Sequence, residues 1–168
     1  MRTQSDVKWN NHSQYKKDEG VKKRMQMLKD AILERGKALN QDVLLVDSFL
    51  NHQVDVALME EIGEEFAKYF ADRGITRVVT IESSGIAPAS FTALALGLPL
   101  VIMKKQTSRI LKGDPLQTTV RSFTKGTQYE LTVKREFLPA GETILLSDDI
   151  LDRGEADFGV IHLDKQAG

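Results

Sequence analysis

The hydrophobic positions of this chain change their spacing several times, and each spacing predicts a different element. Apolar residues recur at intervals of three and four from Val21 to Ile32, which predicts a helix that ends at Gly36. A second amphipathic helix is predicted over residues 55–73, with its acidic run facing water. Its apolar face consists of Leu58, Ile62, Phe66, Tyr69 and Phe70.

Short apolar runs predict strands at residues 43–46, 75–81, 98–103 and 144–146, with a loop at 47–53. The second and third of these flank a small-residue helix that ends at Gly97. This βαβ order predicts a parallel sheet and an α/β fold. Alternating residues at 128–134 predict a hairpin with 118–124 around Gly126, and residues 155–166 are predicted as a last helix.

Length, composition and net charge indicate which class of protein this chain belongs to and which functions are excluded. The 168 residues suit one domain, and 41% hydrophobic with 28% charged residues is typical of a globular protein. The chain has no cysteine and only three histidines, so disulfides and thiolate chemistry are excluded and no metal site is predicted. A net charge of −1 predicts no general attraction to nucleic acid or membranes. The lack of a long apolar run or signal pattern predicts a cytoplasmic location.

The first 24 residues differ in character from the rest. They hold seven basic, three acidic and five hydrophobic residues, which is too little apolar surface to offset the entropy of ordering. We expect residues 1–24 to be a mostly disordered extension and residues 25–168 to form the folded domain. A basic arm that touches nucleic acid is the less favoured alternative.

The stretch ILLSDDILDRGEAD, residues 144–157, carries the strongest chemical signal. A predicted strand is followed by Asp148 and Asp149, then by a short loop with Gly154 that opens a helix. Unpaired N–H groups at a helix start bind phosphate, and carboxylates accept hydrogen bonds from sugar hydroxyls. The combination suits a ribose 5-phosphate. The alternative is that the two aspartates only end the strand.

Two further segments are candidates for anion binding. Ser83, Ser84 and Gly85 follow a predicted strand at the edge where ligands gather in parallel sheets, although an ordinary strand-to-helix turn remains open. Residues 104–125 contain six basic residues and one acidic residue. This composition favours either a mobile lid that closes over a charged substrate or a solvated hairpin.

Four segments together resemble the type I phosphoribosyltransferases, and among these the bacterial xanthine phosphoribosyltransferases. They are VLLVDSFLNHQVD (43–55), VVTIESSGIAPA (78–89), VRSFTK (120–125) and the stretch at 144–157. The resemblance covers about residues 25–168. It implies a parallel sheet flanked by helices, with a β-hairpin lid and a small N-terminal hood. The resemblance also implies a further strand beyond residue 168 with a lysine that recognises the base, so we expect residues 25–168 to form a domain that is incomplete at its C-terminus.

The resemblance also implies a function: a purine salvage transfer from phosphoribosyl diphosphate (PRPP) to xanthine, or guanine, that releases pyrophosphate. Mg²⁺ would be carried by PRPP, and the protein would act as a homodimer. The implied catalytic residues are Asp148 and Asp149. The implied binding residues are Leu44 and Asn51 for the base, Ser83, Ser84, Gly85, Lys104 and Lys105 for pyrophosphate, and Asp152, Arg153, Gly154, Glu155 and Ala156 for the 5-phosphate.

An inactive or PRPP-sensing regulatory relative of the same fold is the alternative function. Asp152 brings negative charge to the loop that would seat a phosphate, although Arg153 offers a compensating cation. Regulators of this fold carry a folded DNA-binding domain in front, for which 24 polar residues are too few.

Overall fold

A three-stranded parallel sheet lies at the centre of the protein. The computed structural model describes residues 25–40, 43–105, 115–121, 128–150 and 155–167. Strands β4 (Leu100–Met103), β3 (Arg77–Ile81) and β7 (Ile144–Leu146) lie side by side in that order and run in one direction. Helix α3 (Ile86–Leu96) connects β3 to β4. The predicted βαβ unit and parallel sheet are therefore confirmed, although β3 begins two residues later than predicted.

Side chains alternate along β3 and enter two different cores. Val78 packs with Ala89 and Ala93 of α3 on one face of the sheet. Helix α2 (Val56–Phe70) packs on α3 at close range. A Cβ added at Gly63 would lie 2.5 Å from the carbonyl carbon of Phe91, so the two helices can approach this closely only because residue 63 is glycine.

The opposite face of the sheet is covered by the hairpin of β5 (Pro115–Arg121) and β6 (Gln128–Lys134) together with α4 (Glu155–Ala167). The predicted hairpin is confirmed, but its first strand starts at Pro115 and not at residue 118. Its inner face and α4 supply core side chains, namely Leu116, Val120, Leu131, Val133, Val160 and Leu163. In the described part of the predicted lid, Leu116 and Val120 thus belong to the core, whereas Lys104 and Lys105 are exposed. Residues 106–114 and 122–127 lie outside the described residues.

The N-terminal part forms a small hood of α1 (Gln26–Arg35) and the antiparallel pair β1 (Lys37–Ala38) and β2 (Leu44–Leu45). The predicted strand at 43–46 is thus only two residues long. A π-helical turn, Asp47–Asn51, replaces most of the predicted loop at 47–53. The adjacent side chains of Phe49 and Leu50 are both buried, which a turn permits and an extended segment on one face does not.

The predicted helix over residues 55–73 is confirmed. The Asp55 side chain accepts a hydrogen bond from the Leu58 N–H at 3.2 Å and caps α2, and a 3₁₀ turn, Ala71–Arg73, completes the segment. The prediction that Tyr69 belongs to the apolar face of α2 is wrong. Tyr69 is 38% exposed, and the Arg73 guanidinium lies 5.7 Å from its ring centroid.

Residues 1–24, predicted to be disordered, lie outside the described residues. Among the helices that the structure describes, none is both long and apolar enough to cross a bilayer.

A polar cluster joins β3 and β7 at their amino ends. Arg77 Nη2 lies 2.9 Å from Glu142 Oε1, and the Thr76 hydroxyl donates to the same carboxylate. The Thr143 N–H donates to Thr76 Oγ1 at 2.9 Å. The hydrogen bond from Thr76, followed by that from Arg77, lowers the pKa of Glu142 below its usual 4.5. The cluster therefore favours the charged form of Glu142 in the folded state.

We expect Glu142→Gln to lower the unfolding temperature at neutral pH. Because the folded-state pKa of Glu142 is lowered, its stabilising effect is complete above the usual pKa and is lost as the pH falls through the folded value. The difference in unfolding temperature from the wild type should shrink between roughly pH 5 and pH 3 in thermal scans. Glu60→Gln, on the exposed side of α2, is the control. A difference that stays constant with pH would contradict the assignment.

Candidate functional site

The carboxyl ends of β3, β4 and β7 lie at one edge of the sheet. Residues 82–85 follow β3, residues 104–105 follow β4, and residues 147–149 follow β7. Parallel pairing therefore gathers polar residues from three distant parts of the sequence. In parallel α/β sheets this edge is where ligands bind.

Asp148 and Gly85 touch each other at this edge. A Cβ added at Gly85 would lie 2.8 Å from Asp148 Oδ1 and 3.1 Å from Asp148 Cα. The φ angle of Gly85 is −71°, so the close approach and not the backbone conformation requires glycine. The Asp149 N–H donates to Asp148 Oδ1 at 2.9 Å. The structure thus brings the acidic pair and the serine loop together.

The serine loop runs directly into α3. The peptide bond between Glu82 and Ser83 is cis, and the Ile86 N–H donates to the Ser83 carbonyl oxygen at 3.2 Å. Ser83 is exposed and Ser84 is half-buried. Gly85 has no side chain with which to cap the helix. Two hydroxyls are therefore available to an anion at this edge. The first turn of α3 adds little, because the Ile86 N–H is already bonded, Pro88 has no N–H and the Ala89 N–H donates to the Gly85 carbonyl oxygen.

Lys104 and Lys105 reach the same edge and contact neighbouring residues. Lys104 Nζ lies 3.3 Å from Glu82 Oε2, and the Lys105 N–H donates to Glu82 Oε1 at 2.6 Å. The Lys105 ammonium lies 5.4 Å from the ring centroid of Tyr129, a cation–π distance. Sequence analysis missed Glu82, although its position at a strand end directly before Ser83 was the available signal.

Two buried hydroxyls beneath the edge were also missed. Thr80 Oγ1 lies 2.6 Å from the position of a Cβ on Gly85, and Ser147 precedes Asp148. A threonine in a strand of valines and isoleucines looks like a packing residue, so the sequence gives no separate signal for it.

The two residues assigned to the base, Leu44 and Asn51, belong to the hood. Leu44 is 39% exposed on β2, and Asn51 is exposed at the end of the π-helical turn. The hood core includes Ala87 and Phe91 at its margin, so it packs against the part of α3 that follows the serine loop. This packing connects the hood to the edge that carries Asp148.

Arg35 connects helix α1 of the hood to the π-helical turn and to the start of α2. Its Nη2 lies 2.9 Å from Asp55 Oδ2, and its guanidinium lies 5.0 Å from the Phe49 ring centroid. The Leu58 N–H, and next Arg35, lower the pKa of Asp55. The turn that ends in Asn51 is therefore tied to both α1 and α2.

The predicted 5-phosphate loop is only partly described. Asp152, Arg153 and Gly154 lie outside the described residues, and Glu155 and Ala156 are the first two residues of α4. Across the described part of the chain, no group of three or more His, Cys, Asp or Glu side chains is placed to hold a metal ion.

The model of the phosphoribosyl transferase domain matches residues 46–156, which include the whole edge described above. A xanthine phosphoribosyltransferase of Clostridium botulinum is 56% identical over 144 residues, or 86% of this chain and 76% of that protein. The enzyme of the same name from Clostridium acetobutylicum is 55% identical over the same shares. This chain belongs to the phosphoribosyltransferase family.

Solved structures agree on the fold of this phosphoribosyltransferase. An APRTase from Giardia lamblia complexed with 9-deazaadenine superposes with a TM-score of 0.67 at 23% identity, covering 84% of this chain and 77% of that one. An adenine phosphoribosyltransferase from Rhodothermus marinus gives a TM-score of 0.65 at 21% identity, covering 86% and 79%. The type I phosphoribosyltransferase fold implied by the four segments is confirmed.

Gly85→Ala tests the contact between the serine loop and Asp148. Gly85 is the N-cap of α3, where alanine is slightly less favourable than glycine, but its φ of −71° suits alanine and the chain loses less entropy, so without a collision the change would alter stability little. Because the new Cβ would meet Thr80 Oγ1 and Asp148 Oδ1, we expect a loss of about 1–3 kcal/mol in the free energy of unfolding. Urea unfolding measures it, and a variant as stable as the wild type would contradict the close approach.

Proposed function

We propose that this phosphoribosyltransferase converts PRPP and xanthine to xanthosine monophosphate and pyrophosphate in purine salvage. The contact between Asp148 and Gly85 is the observation that supports the proposal, because a ribose held by Asp148 and a pyrophosphate held by the serine loop would have to lie side by side. The choice of xanthine is supported by relatives of 56% and 55% identity that carry that name. Guanine is the second candidate base.

A purine nitrogen attacks C1 of the ribose as the bond from C1 to the pyrophosphate oxygen breaks, and the purine loses a proton. Positive charge develops on the sugar, so catalysis depends on positioning and on electrostatic stabilisation. Asp148 and Asp149 accept hydrogen bonds from the ribose hydroxyls and face this charge. Ser83, Ser84, Gly85, Lys104 and Lys105 receive the pyrophosphate, which arrives as its Mg²⁺ complex.

The remaining roles follow the same division of the molecule. Leu44 and Asn51 of the hood contact the base, and the Asn51 amide offers both a donor and an acceptor to a purine edge. Residues 152–156 bind the 5-phosphate. We also propose a homodimer and a cytoplasmic reaction, the latter because charged PRPP does not pass an apolar bilayer.

The proposal predicts nucleotide formation from xanthine, PRPP and Mg²⁺, followed by ultraviolet absorbance and chromatography. Asp148→Asn and Asp149→Asn should each lower kcat/KM by about 10²-fold or more, because each removes charge that stabilises the transition state. Asp72→Asn, in the exposed turn after α2, is the control and should leave kcat/KM unchanged.

Gel filtration of the same samples establishes that the protein is folded and tests the dimer. If folded protein forms no nucleotide from xanthine, guanine or hypoxanthine, the enzymatic proposal fails. Calorimetric titration with PRPP would then test the alternative, a PRPP-sensing relative without activity.

Glu82→Gln tests the pyrophosphate side of the site. The carboxylate pairs with Lys104 and repels an incoming pyrophosphate, whereas glutamine can still accept from the Lys105 N–H. We expect KM for PRPP and the inhibition constant of pyrophosphate to fall, by about five-fold for roughly 1 kcal/mol of electrostatic energy.

Glu136→Gln is the matched control for this variant. Glu136 pairs with Lys134 at the same 3.3 Å but stands after β6, outside the three strand ends. Equal effects of Glu82→Gln and Glu136→Gln on both constants would contradict the role given to Glu82.

A further inference from the structure

The buried hydroxyl of Thr80 lowers the free energy of unfolding. Thr80 is fully buried in β3, and its Oγ1 has no hydrogen-bond partner among the described residues. Its neighbours in the strand are Val78, Val79 and Ile81. Valine has nearly the same shape as threonine and would fill this position without a polar atom. Packing alone therefore does not explain the hydroxyl.

Ser147, directly after the adjacent strand β7, also carries a buried hydroxyl that packing alone does not explain. Val79 pairs with Leu146, and the Ser147 N–H donates to the Val79 carbonyl oxygen at 2.9 Å, so Ser147 follows in register beside Thr80. Ser147 is 6% exposed, and its Oγ likewise lacks a partner within the described residues. Alternation places both side chains on the face of the sheet that α3 covers.

The Thr80 hydroxyl faces Asp148 across the space that Gly85 leaves open. A Cβ on Gly85 would lie 2.6 Å from Thr80 Oγ1 and 2.8 Å from Asp148 Oδ1, so both oxygens border the same small volume. A hydroxyl can donate, whereas a carboxylate can only accept, which makes the two groups complementary. A small rotation of either side chain, or one bridging water, completes a hydrogen bond between them.

We propose that Thr80 is a positioning residue for Asp148. Its hydroxyl donates to the carboxylate, directly or through a buried water, and fixes the orientation in which Asp148 receives the ribose hydroxyls. Thr80 is fully buried and does not touch the substrate, so it acts only through Asp148. The inference rests on the proposed function, because it concerns how PRPP is held.

The test compares Thr80→Val, which keeps the shape, with Thr80→Ser, which keeps the hydroxyl. Thr80→Val should unfold close to the wild-type temperature, because the loss of the hydrogen bond to Asp148 is offset by the removal of a buried polar atom and half-buried Asp148 can accept from water instead. Its kcat/KM for PRPP should nevertheless fall by about 10-fold, as when a group that orients a ligating side chain is lost. Thr80→Ser should lose stability and keep kcat/KM for PRPP within about two-fold of the wild type.

Thr92→Val is the control. Thr92 is equally buried, but its hydroxyl donates to the Pro88 carbonyl oxygen at 2.8 Å within α3. We expect it to change the unfolding temperature and not the kinetics. Wild-type kinetics in Thr80→Val would overturn the inference, as would a loss in Thr80→Ser equal to that in Thr80→Val.

Calorimetric titration with PRPP separates this inference from the proposed function. If the wild type binds PRPP but forms no nucleotide, the proposed function fails alone, and weaker binding of PRPP by Thr80→Val still supports the role of Thr80. Equal affinities of the wild type and Thr80→Val for PRPP would overturn the role proposed for Thr80. If the wild type does not bind PRPP, both proposals fail.

Discussion

The register between β3 and β7 is the constraint on which the site depends. Val79 pairs with Leu146, and this pairing leaves the segment after β7 level with the segment after β3. Asp148 consequently meets Gly85, although 62 residues separate them in the sequence. A slip of one residue would turn Ser147 and Leu145 to the opposite face and separate the carboxylate from the serine loop. The apolar alternation of both strands excludes such a slip.

Helices and strands whose residues strongly favour one secondary structure could be predicted from the sequence. The β-branched run of β3 and the amphipathic face of α2 are of this kind, and Gly97 ends α3 with a φ of 66° as a left-handed cap. Within the hood, the helix that ends at Gly36 could be predicted, but the two-residue strands and the π-helical turn could not, because they carry too little local signal. The shape of the hood follows from burying Phe49 and Leu50 against α1 and α2.

The residues of the candidate site likewise fall into those with a clear local sequence signal and those without one. Asp148, Asp149 and the serine loop could be found because strand, polar residues and helix follow one another in sequence. Thr80 and Ser147 could not, because the residues that they face lie on other parts of the chain, and Glu82 had only its position at a strand end as a signal. Glu82 matters through Lys104, and Thr80 matters through Asp148 and Gly85. The start of β5 at Pro115 was likewise set by its pairing with Lys134 and not by local preference.

Stability and chemistry are placed at opposite ends of the same strands. At the amino ends of β3 and β7, the Glu142 carboxylate accepts hydrogen bonds from Arg77 and Thr76, although Arg77 Nε has no partner among the described residues. At the carboxyl ends, Thr80 and Ser147 keep buried hydroxyls without partners among the described residues, and Asp148 stands beside the serine loop. Unsatisfied polar groups destabilise a fold, so they persist only where the rest of the structure holds them in place. The register of β3 and β7 therefore permits the buried hydroxyls of Thr80 and Ser147 at their carboxyl ends, because the paired strands hold both residues in place.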